Sequence, residues 1–467
     1  MDALETIELK MRQAGLRSAA VHSFRQNYLS LVSGETGLIP EAAIRPVDRL
    51  PRLEDLPVTV SDGRATELIA RTAVIKLNGG LGTSMGLDRP KSIISVKDGL
   101  NFLDFTARQI LYLREKYRAP LRLLLLNSFN TSRDSMEHLR RYPSLAADLP
   151  VEFLQSKAPK LRADTLLPVT WPANPELEWC PPGHGDLYPT LLDSGRLDEL
   201  ARRGVDYLFV SNADNLGANL DLGLLDWFAA QQLPFLMEVA ERTPSDKKGG
   251  HLARAADGDG LLLRESAQCP ADDAAAFQDV TRHRFFNTNN IWLNVSALRR
   301  QLDANGGILP LPLIRNVKTV DPRDRQSPKV YQLETAMGAA IQLFAGAGAL
   351  VVPRRRFAPV KTTADLLALR SDAYVINEDF TLSLAAARRG LPPKIELDDA
   401  HYKIMAQFEV AFGEHVPSLA AAEKLTVSGP VLCGENVTVS GSVEVVNAAA
   451  DRKLWPAGNY HHQRVTL

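Results

Sequence analysis

Six mostly apolar runs of strand length set the strongest limit on what this chain can fold into. They fall at 73–77, 121–126, 207–210, 235–239, 291–295 and 349–352, and each is followed by a polar or glycine-rich stretch. Continuous runs of this kind suit strands buried on both faces, the condition of a mostly parallel sheet. The stretches 102–117 and 222–230 between them carry helical spacing and suit the crossovers that parallel strands need. The reading is a large α/β core over about residues 51–395, with proline-rich breaks at 168–175 and 181–182 marking an insertion or long loop inside it. A chain of 467 residues exceeds one domain length several times, so 1–50 and 396–467 are expected to be separate segments.

The first segment reads as helical. Leu4, Ile7 and Met11 recur at helical spacing, as do Val21, Phe24, Tyr28 and Leu31, and Gly34 is a natural stop. In the last segment Leu425, Val431, Val437 and Val443 stand six residues apart, with Gly429, Gly434 and Gly441 among them. A period of six predicts a small parallel β-helix from about Leu425 onward. The exposed edge of such a stack is a candidate homo-oligomer contact. The uncharged stretch at 335–352 holds Gln342 and three glycines; it reads as a buried helix, a glycine break and a strand at 349–352, not a membrane span. Early acids argue against a signal or transit peptide. Cys180, Cys269 and Cys433 offer neither a disulfide framework nor zinc spacing. A cytoplasmic protein is expected. The 54 Lys plus Arg against 55 Asp plus Glu give a net charge of −1, which argues against nucleic acid as a partner but leaves room for a locally placed phosphate site.

The strongest local feature follows the first run. Lys76-Leu77-Asn78-Gly79-Gly80-Leu81-Gly82-Thr83-Ser84-Met85-Gly86 has four glycines in eight residues. Such a loop lets backbone approach a ligand, and its N–H groups can cradle an anion. It lacks the terminal Gly-Lys-Ser/Thr of a Walker A loop, and its last glycine is one place late for a dinucleotide fingerprint. Lys91, in Arg89-Pro90-Lys91-Ser92, can reach phosphate oxygens as a point charge.

Asp214 stands just beyond the run at 207–210, at a carboxyl strand end where α/β proteins hold ligands. One carboxylate together with substrate phosphates is how Mg²⁺ is usually bound. Three further polar clusters end or flank apolar runs. Trp179-Cys180-Pro181-Pro182-Gly183-His184-Gly185-Asp186 could lay its backbone against a base or sugar. Phe286-Asn287-Thr288-Asn289-Asn290 is rich in amides that can bond sugar hydroxyls. Arg354, Arg355, Arg356 and Lys361 place four cations within eight residues, just before a helix start at Thr362 or Thr363, and together these favour an anion.

Taken in order, these segments closely resemble the eukaryotic-type UTP–glucose-1-phosphate uridylyltransferases. The resemblance runs from Lys76–Gly86 and Pro90-Lys91-Ser92 through Pro181–Asp186, Asn212-Ala213-Asp214-Asn215-Leu216-Gly217, Lys248-Gly249-Gly250, Phe286–Asn290 and Gln332-Leu333-Glu334-Thr335-Ala336 to Pro359-Val360-Lys361-Thr362-Thr363. It implies a mixed, mostly parallel central sheet of the nucleotide-diphospho-sugar transferase (Rossmann-like) type, with a C-terminal left-handed β-helix. It implies that Leu77, Asn78, Gly79 and Gly80 hold UTP, with Lys91 on its phosphates. Gln155 and the backbone of Gly183 would read uracil. Asn212, Ala213 and Asp214 would contact the nucleotide, Asp214 also holding Mg²⁺. His184 would approach the sugar phosphate, and Gly250, Asn287 and Asn289 the glucose. Lys361 would be the catalytic cation, with Lys91 beside it. Ala213 stands where the family usually has Ser, and Ala158 where an aromatic beside uracil is more usual. The implied reaction converts UTP and glucose 1-phosphate to UDP-glucose and pyrophosphate. A sister preference for N-acetylhexosamine 1-phosphate or a broad range of sugars turns on the sugar pocket.

Overall fold

Alternate residues of the expected strands go to opposite faces. Ala73, Ile75, Leu124, Leu126, Leu208 and Val210 join one apolar cluster, while Val74, Leu123, Leu125 and Phe209 join another. A period of two with both sets buried means a sheet covered on both sides. The computed structural model describes residues 3–56, 59–146 and 148–467.

The N-terminal helices are α1 (Ala3–Gln13) and α2 (Ser18–Val32). Their apolar stripe, including Ile7, Met11, Phe24 and Tyr28, packs on Ala158, Leu161, Cys180, Leu313 and Leu333. Ala158 therefore faces these helices. This position, where the resemblance implies an aromatic, lies among side chains of α1 and α2 and is not in the lining of the cleft described below.

Among the described residues the central sheet has ten strands: β1 (Ile44–Arg45), β2 (Thr72–Asn78), β3 (Arg122–Asn127), β4 (Glu152–Leu154), β5 (Tyr207–Asn212), β6 (Phe235–Glu241), β7 (His251–Ala255), β8 (Leu261–Arg264), β9 (Phe285–Asn294) and β10 (Gly348–Val351). Helix α3 (Phe102–Tyr117) joins β2 to β3, and α4 (Leu222–Ala230) joins β5 to β6, as the spacing predicts. The order β5-β2-β3-β4 is parallel throughout, and β6 pairs parallel with β10. Only β1, β8 and β9 run against the other seven. The run at 291–295 is thus an antiparallel strand and ends one residue early, because Asn294 caps the next helix by accepting from the backbone of Ala297. The stretch at 335–352 also differs in part. Its buried helix is a seven-residue 3₁₀ segment, Met337–Leu343. A Cβ on Gly338 would lie 2.8 Å from Leu263, so the segment is pressed onto the sheet.

Beyond α5 (Thr363–Arg370) a short antiparallel pair, Tyr374–Ile376 with Leu382–Leu384, precedes a run of parallel strands: β11 (Lys394–Leu397), then after α6 (Met405–Phe412) β12 (Ser418–Ser428), β13 (Val431–Cys433), β14 (Val437–Val446), β15 (Lys453–Trp455), β16 (Gly458–His461) and β17 (Arg464–Thr466). Leu425, Val431, Val437 and Val443, the residues of the six-fold period, are all buried, and Leu425 lies opposite Val443. These strands share one apolar cluster with α5, α6 and core residues that include Met85, Ile94, Val96, Phe102, Phe105, Leu216 and Val360. Among the described residues no helix is long and apolar enough to cross a membrane.

Candidate active site

Parallel register brings three strand ends to one level. Leu77 lies opposite Asn212, and Asn78 opposite Asn127. The backbone N–H of Gln155 donates to Asn127 O at 2.7 Å, which sets the segment after β4 beside them. A cavity of about 310 Å³ opens here, at the carboxyl ends of β2, β3 and β5. Its lining contains all ten residues expected at the nucleotide: Leu77, Asn78, Gly79, Gly80, Lys91, Gln155, Gly183, Asn212, Ala213 and Asp214. His184 lines it too, together with Ser92, Leu126 and Pro181.

The glycines of the loop do different jobs. A Cβ on Gly79 would lie 2.6 Å from Gln155 Oε1, so this position must stay bare for the amide to sit there. A Cβ on Gly80 would meet nothing within 4 Å. Only Gly86 of this loop has a positive φ, at 72°, and the space beside it is taken by Ile404. The loop is therefore shaped mainly by close approach and less by left-handed backbone. Asn78 enters the site through its backbone, because its side chain donates to Asn127 Oδ1 at 2.7 Å and Ser135 Oγ at 2.9 Å.

Gly183 has φ 81°, and a Cβ there would stand 2.4 Å from the Thr335 carbonyl. Its own carbonyl accepts Gln155 Nε2 at 3.0 Å. Next to it, His184 Nδ1 accepts the N–H of Met337 at 2.9 Å, which leaves the proton on Nε2. Burial pushes His184 down to about 4, so the ring is a neutral donor at pH 7. On the same turn, burial pushes Asp186 up to about 7 against bonds from Ser156 and Thr190.

Lys91 Nζ donates to Asp214 Oδ2 at 2.6 Å, with the two side chains about one-fifth exposed. The expected phosphate cation and the expected metal ligand are thus paired with each other. Asp214 is one carboxylate, and among the described residues no three His, Cys, Asp or Glu side chains gather into a metal cage. One carboxylate beside room for phosphates is a donor set that fits Mg²⁺, which dehydrates reluctantly and usually takes one or two carboxylates plus phosphate oxygens.

Four expected residues stand outside this lining: Gly250, Asn287, Asn289 and Lys361. The first three form their own cluster. Asn287 N donates to Gly250 O at 3.1 Å, and Asn287 Nδ2 to Asn289 Oδ1 at 2.9 Å. Lys361 is exposed, its Nζ 5.5 Å from the Phe357 ring. Its loop is tied to the cleft, since Val360 N donates to Asp214 O at 3.3 Å. The run of four cations is not a pooled anion site: Arg354 pairs with Asp246 and Arg356 with Glu238. The helix start is as expected, with Thr362 the cap and Asp365 closing a capping box.

Residue reasoning missed several groups. Ser92 Oγ lines the cleft, buried and without a hydrogen-bond partner among the described residues. Glu265 lies against Gly250, where a Cβ would come within 2.3 Å of its Oε2. Burial raises that carboxyl while a bond from Asn287 lowers it. Lys76, fully buried beneath the loop, donates to Ser211 Oγ at 2.8 Å and Ala218 O at 2.7 Å, and burial pushes it down to about 7. Lys76 and Glu238 carried one signal in the sequence: each is a charge inside an apolar run.

A mostly parallel α/β sheet with its ligand cleft at the carboxyl strand ends, floored by a glycine loop, defines a Rossmann-like nucleotidyltransferase core. Comparison with known proteins narrows this. The model of the UTP–glucose-1-phosphate uridylyltransferase family matches residues 21–440. The enzyme of that name from Solanum tuberosum is 38% identical over 98% of this chain and 95% of its own length. That of Encephalitozoon cuniculi is 40% identical over 89% and 80%. A variant of the UDP-glucose pyrophosphorylase of Leishmania major, solved in complex with UDP-glucose, superposes with a TM-score of 0.93 at 47% identity, covering 100% of this chain and 99% of that one. A Trypanosoma brucei structure described as a UDP-glucose phosphorylase gives 0.90 at 48%, over 100% and 99%. The chain belongs to the UTP–glucose-1-phosphate uridylyltransferase family and is an enzyme of that class.

Proposed function

We propose that this enzyme joins UTP and glucose 1-phosphate into UDP-glucose and pyrophosphate by in-line attack on the α-phosphorus. The observation that carries this reading is the single cleft in which the glycine loop, Gln155 with Gly183, His184, and the Lys91–Asp214 pair converge. One oxygen of the sugar phosphate forms a bond to the α-phosphorus, and the bond from that phosphorus to the bridging oxygen of pyrophosphate breaks. The attacking oxygen is already an anion, so no protein nucleophile or base is required. The obstacle is charge, and catalysis is positioning plus neutralisation.

In this reading the backbone of 77–80 and Ser92 Oγ receive the phosphates, and Lys91 leaves Asp214 for a phosphate oxygen. Gln155 and Gly183 hold the uracil edge. Neutral His184 donates through Nε2 to the sugar phosphate without adding a charge that pH would alter near 7. Asn287, Asn289 and Glu265, with the backbone of Gly250, take the glucose hydroxyls; a buried carboxylate beside two amides discriminates among hydroxyl patterns. Lys361 comes to the reacting phosphate from its loop. Mg²⁺ held by Asp214 would supply Lewis-acid neutralisation.

The same reading divides the chain at 1–50, 51–395 and 396–467. It takes the parallel rungs β12 to β17 as turns of a left-handed β-helix, supported by the buried six-residue period. It also puts the protein in the cytoplasm and a homo-oligomer contact on the C-terminal strands; a solution mass of one 51.3 kDa chain would remove the oligomer. The central test is pyrophosphate release by purified protein given UTP, Mg²⁺ and a panel of sugar 1-phosphates. Release with glucose 1-phosphate above the others is expected. No release with any sugar sinks the proposal, and preference for another sugar sinks the glucose assignment.

A further inference from the structure

Beneath the cleft lies a buried ion pair that the reaction itself does not use. Arg356 donates to Glu238 through Nε at 2.8 Å and through Nη2 at 2.7 Å. The side chains are 4% and 0% exposed. Glu238 also accepts from Trp292 Nε1 at 2.9 Å and Asn290 Nδ2 at 3.0 Å. Arg356 spends further donors on the side chain and carbonyl of Asn219. Such a pair, even when fully bonded, is often no more stable than well-packed apolar residues of its size. Stability alone does not account for it.

What the pair holds is geometry, in three places. Pairing of β6 with β9 slips between Glu238 and Val239, which face Asn290 and Asn287, so Thr288 and Asn289 are looped out. Thr288 Oγ1 donates to Glu238 O at 2.7 Å, and Asn289 is held at φ 60°. The bulge that presents Asn287 and Asn289 is thus pinned at Glu238. The carbonyl of Arg356 accepts Asn215 Nδ2 at 3.1 Å, and Asn215 Oδ1 in turn accepts Gly217 N at 3.1 Å and Ala358 N at 3.0 Å. This fixes the loop that carries Asp214. Pro359 bridges Asn215, and Val360 N reaches Asp214 O, immediately before Lys361.

We propose that Glu238 and Arg356 are positioning residues that set the sugar side, the Asp214 loop and the Lys361 loop in one fixed relation. The inference rests on the reading that those three segments contact the substrates. The test is the double variant Glu238→Gln/Arg356→Met, which removes both charges and leaves an amide oxygen for Trp292 or Asn290. Its fold is checked by circular dichroism and thermal melting. The expected result is a folded protein whose kcat falls by about tenfold or more, the scale on which supporting residues act, with KM for glucose 1-phosphate raised. The second variant, Arg356→Lys, keeps the charge but loses the fork; a partial recovery of kcat relative to the double variant is expected. A folded double variant with parental kcat overturns the proposal. Should that variant fail to fold, parental kcat and KM in Arg356→Lys overturn it, and a raised sugar-phosphate KM with lowered kcat supports it. Asp214→Asn and Lys361→Ala run in the same assay separate the two readings. If both keep parental turnover, the substrate assignment falls; if they lose it while the pair variants do not, only the positioning proposal falls.

Discussion

Gly183 meets a demand that no other residue can. A methyl group there would have to enter the Thr335 carbonyl on backbone already in the left-handed region. Gly183→Ala should cost about 1–3 kcal/mol of stability, the scale of strained backbone, and weaken UTP binding because the same residue holds Gln155. Thermal melting and a UTP titration check both effects. Lys361 is the opposite case, an exposed residue whose removal should leave the fold intact. Lys361→Ala is expected to lower turnover by about 10²–10³, as for loss of an oxyanion-type donor. Initial rates at saturating substrates measure it, and near-parental turnover would take Lys361 out of the catalytic role. In the proposed reading, phosphate and metal would each meet a group already paired at the Lys91–Asp214 contact, and a metal–nucleotide complex arriving together would exchange that internal pair for two external ones, which suits joint loading better than metal first.

Among the elements, α5 shows how local chemistry aims a side chain. Asp365 Oδ2 accepts from Thr362 N and from Lys361 N, both at 2.8 Å, so the cap of this helix also holds the backbone of Lys361. Asp365→Ala should cost roughly 1 kcal/mol, the usual worth of a cap, and lower kcat with UTP affinity kept. Melting and steady-state rates test that split. This element was legible from sequence, because Thr and Asp three apart before an apolar run are a local signal. The glycine loop, the turn at Gly183 and the strand-end Asn and Asp residues were legible for the same reason. What sequence spacing did not carry was pairing across long separations. Glu238 and Arg356 are 118 positions apart, and Lys91 and Asp214 are 123 apart. Glu265 reaches Gly250 and Asn287 only through the pairing of β7 with β8 and β9. The direction of β9 was missed because an apolar run is the same whichever way it points.

At the scale of the whole molecule, imidazoles held neutral by burial, among them His184 and His251, contribute to the acid side of stability. Burial holds His184 down at about 4, and burial with neighbouring His283 and Arg242 holds His251 down at about 2. The unfolded chain protonates both near 6.5 while the native protein does not. Stability should therefore be full above about 6.5 and be lost as pH falls from there toward 4 and below. Asp186, raised to about 7, acts in the reverse sense, since the folded protein holds its proton between about 3.8 and 7. Melting temperature is expected to fall on acidification, and to fall more steeply in Asp186→Asn. A flat profile between pH 6.5 and 4 in that variant would contradict neutral buried histidines. Trp455 is fully buried among the C-terminal strands. Trp455→Ala should cost about 3–5 kcal/mol, as for other large aromatic truncations, read as a drop in melting temperature. The same cluster holds Met85 of the glycine loop, Leu216 beyond Asp214 and Val360 before Lys361. The C-terminal strands thus serve as the keel of the loops that carry Met85, Leu216 and Val360. Heat inactivation and melting of the tail should then arrive as one event, and Trp455→Ala should lower both temperatures together.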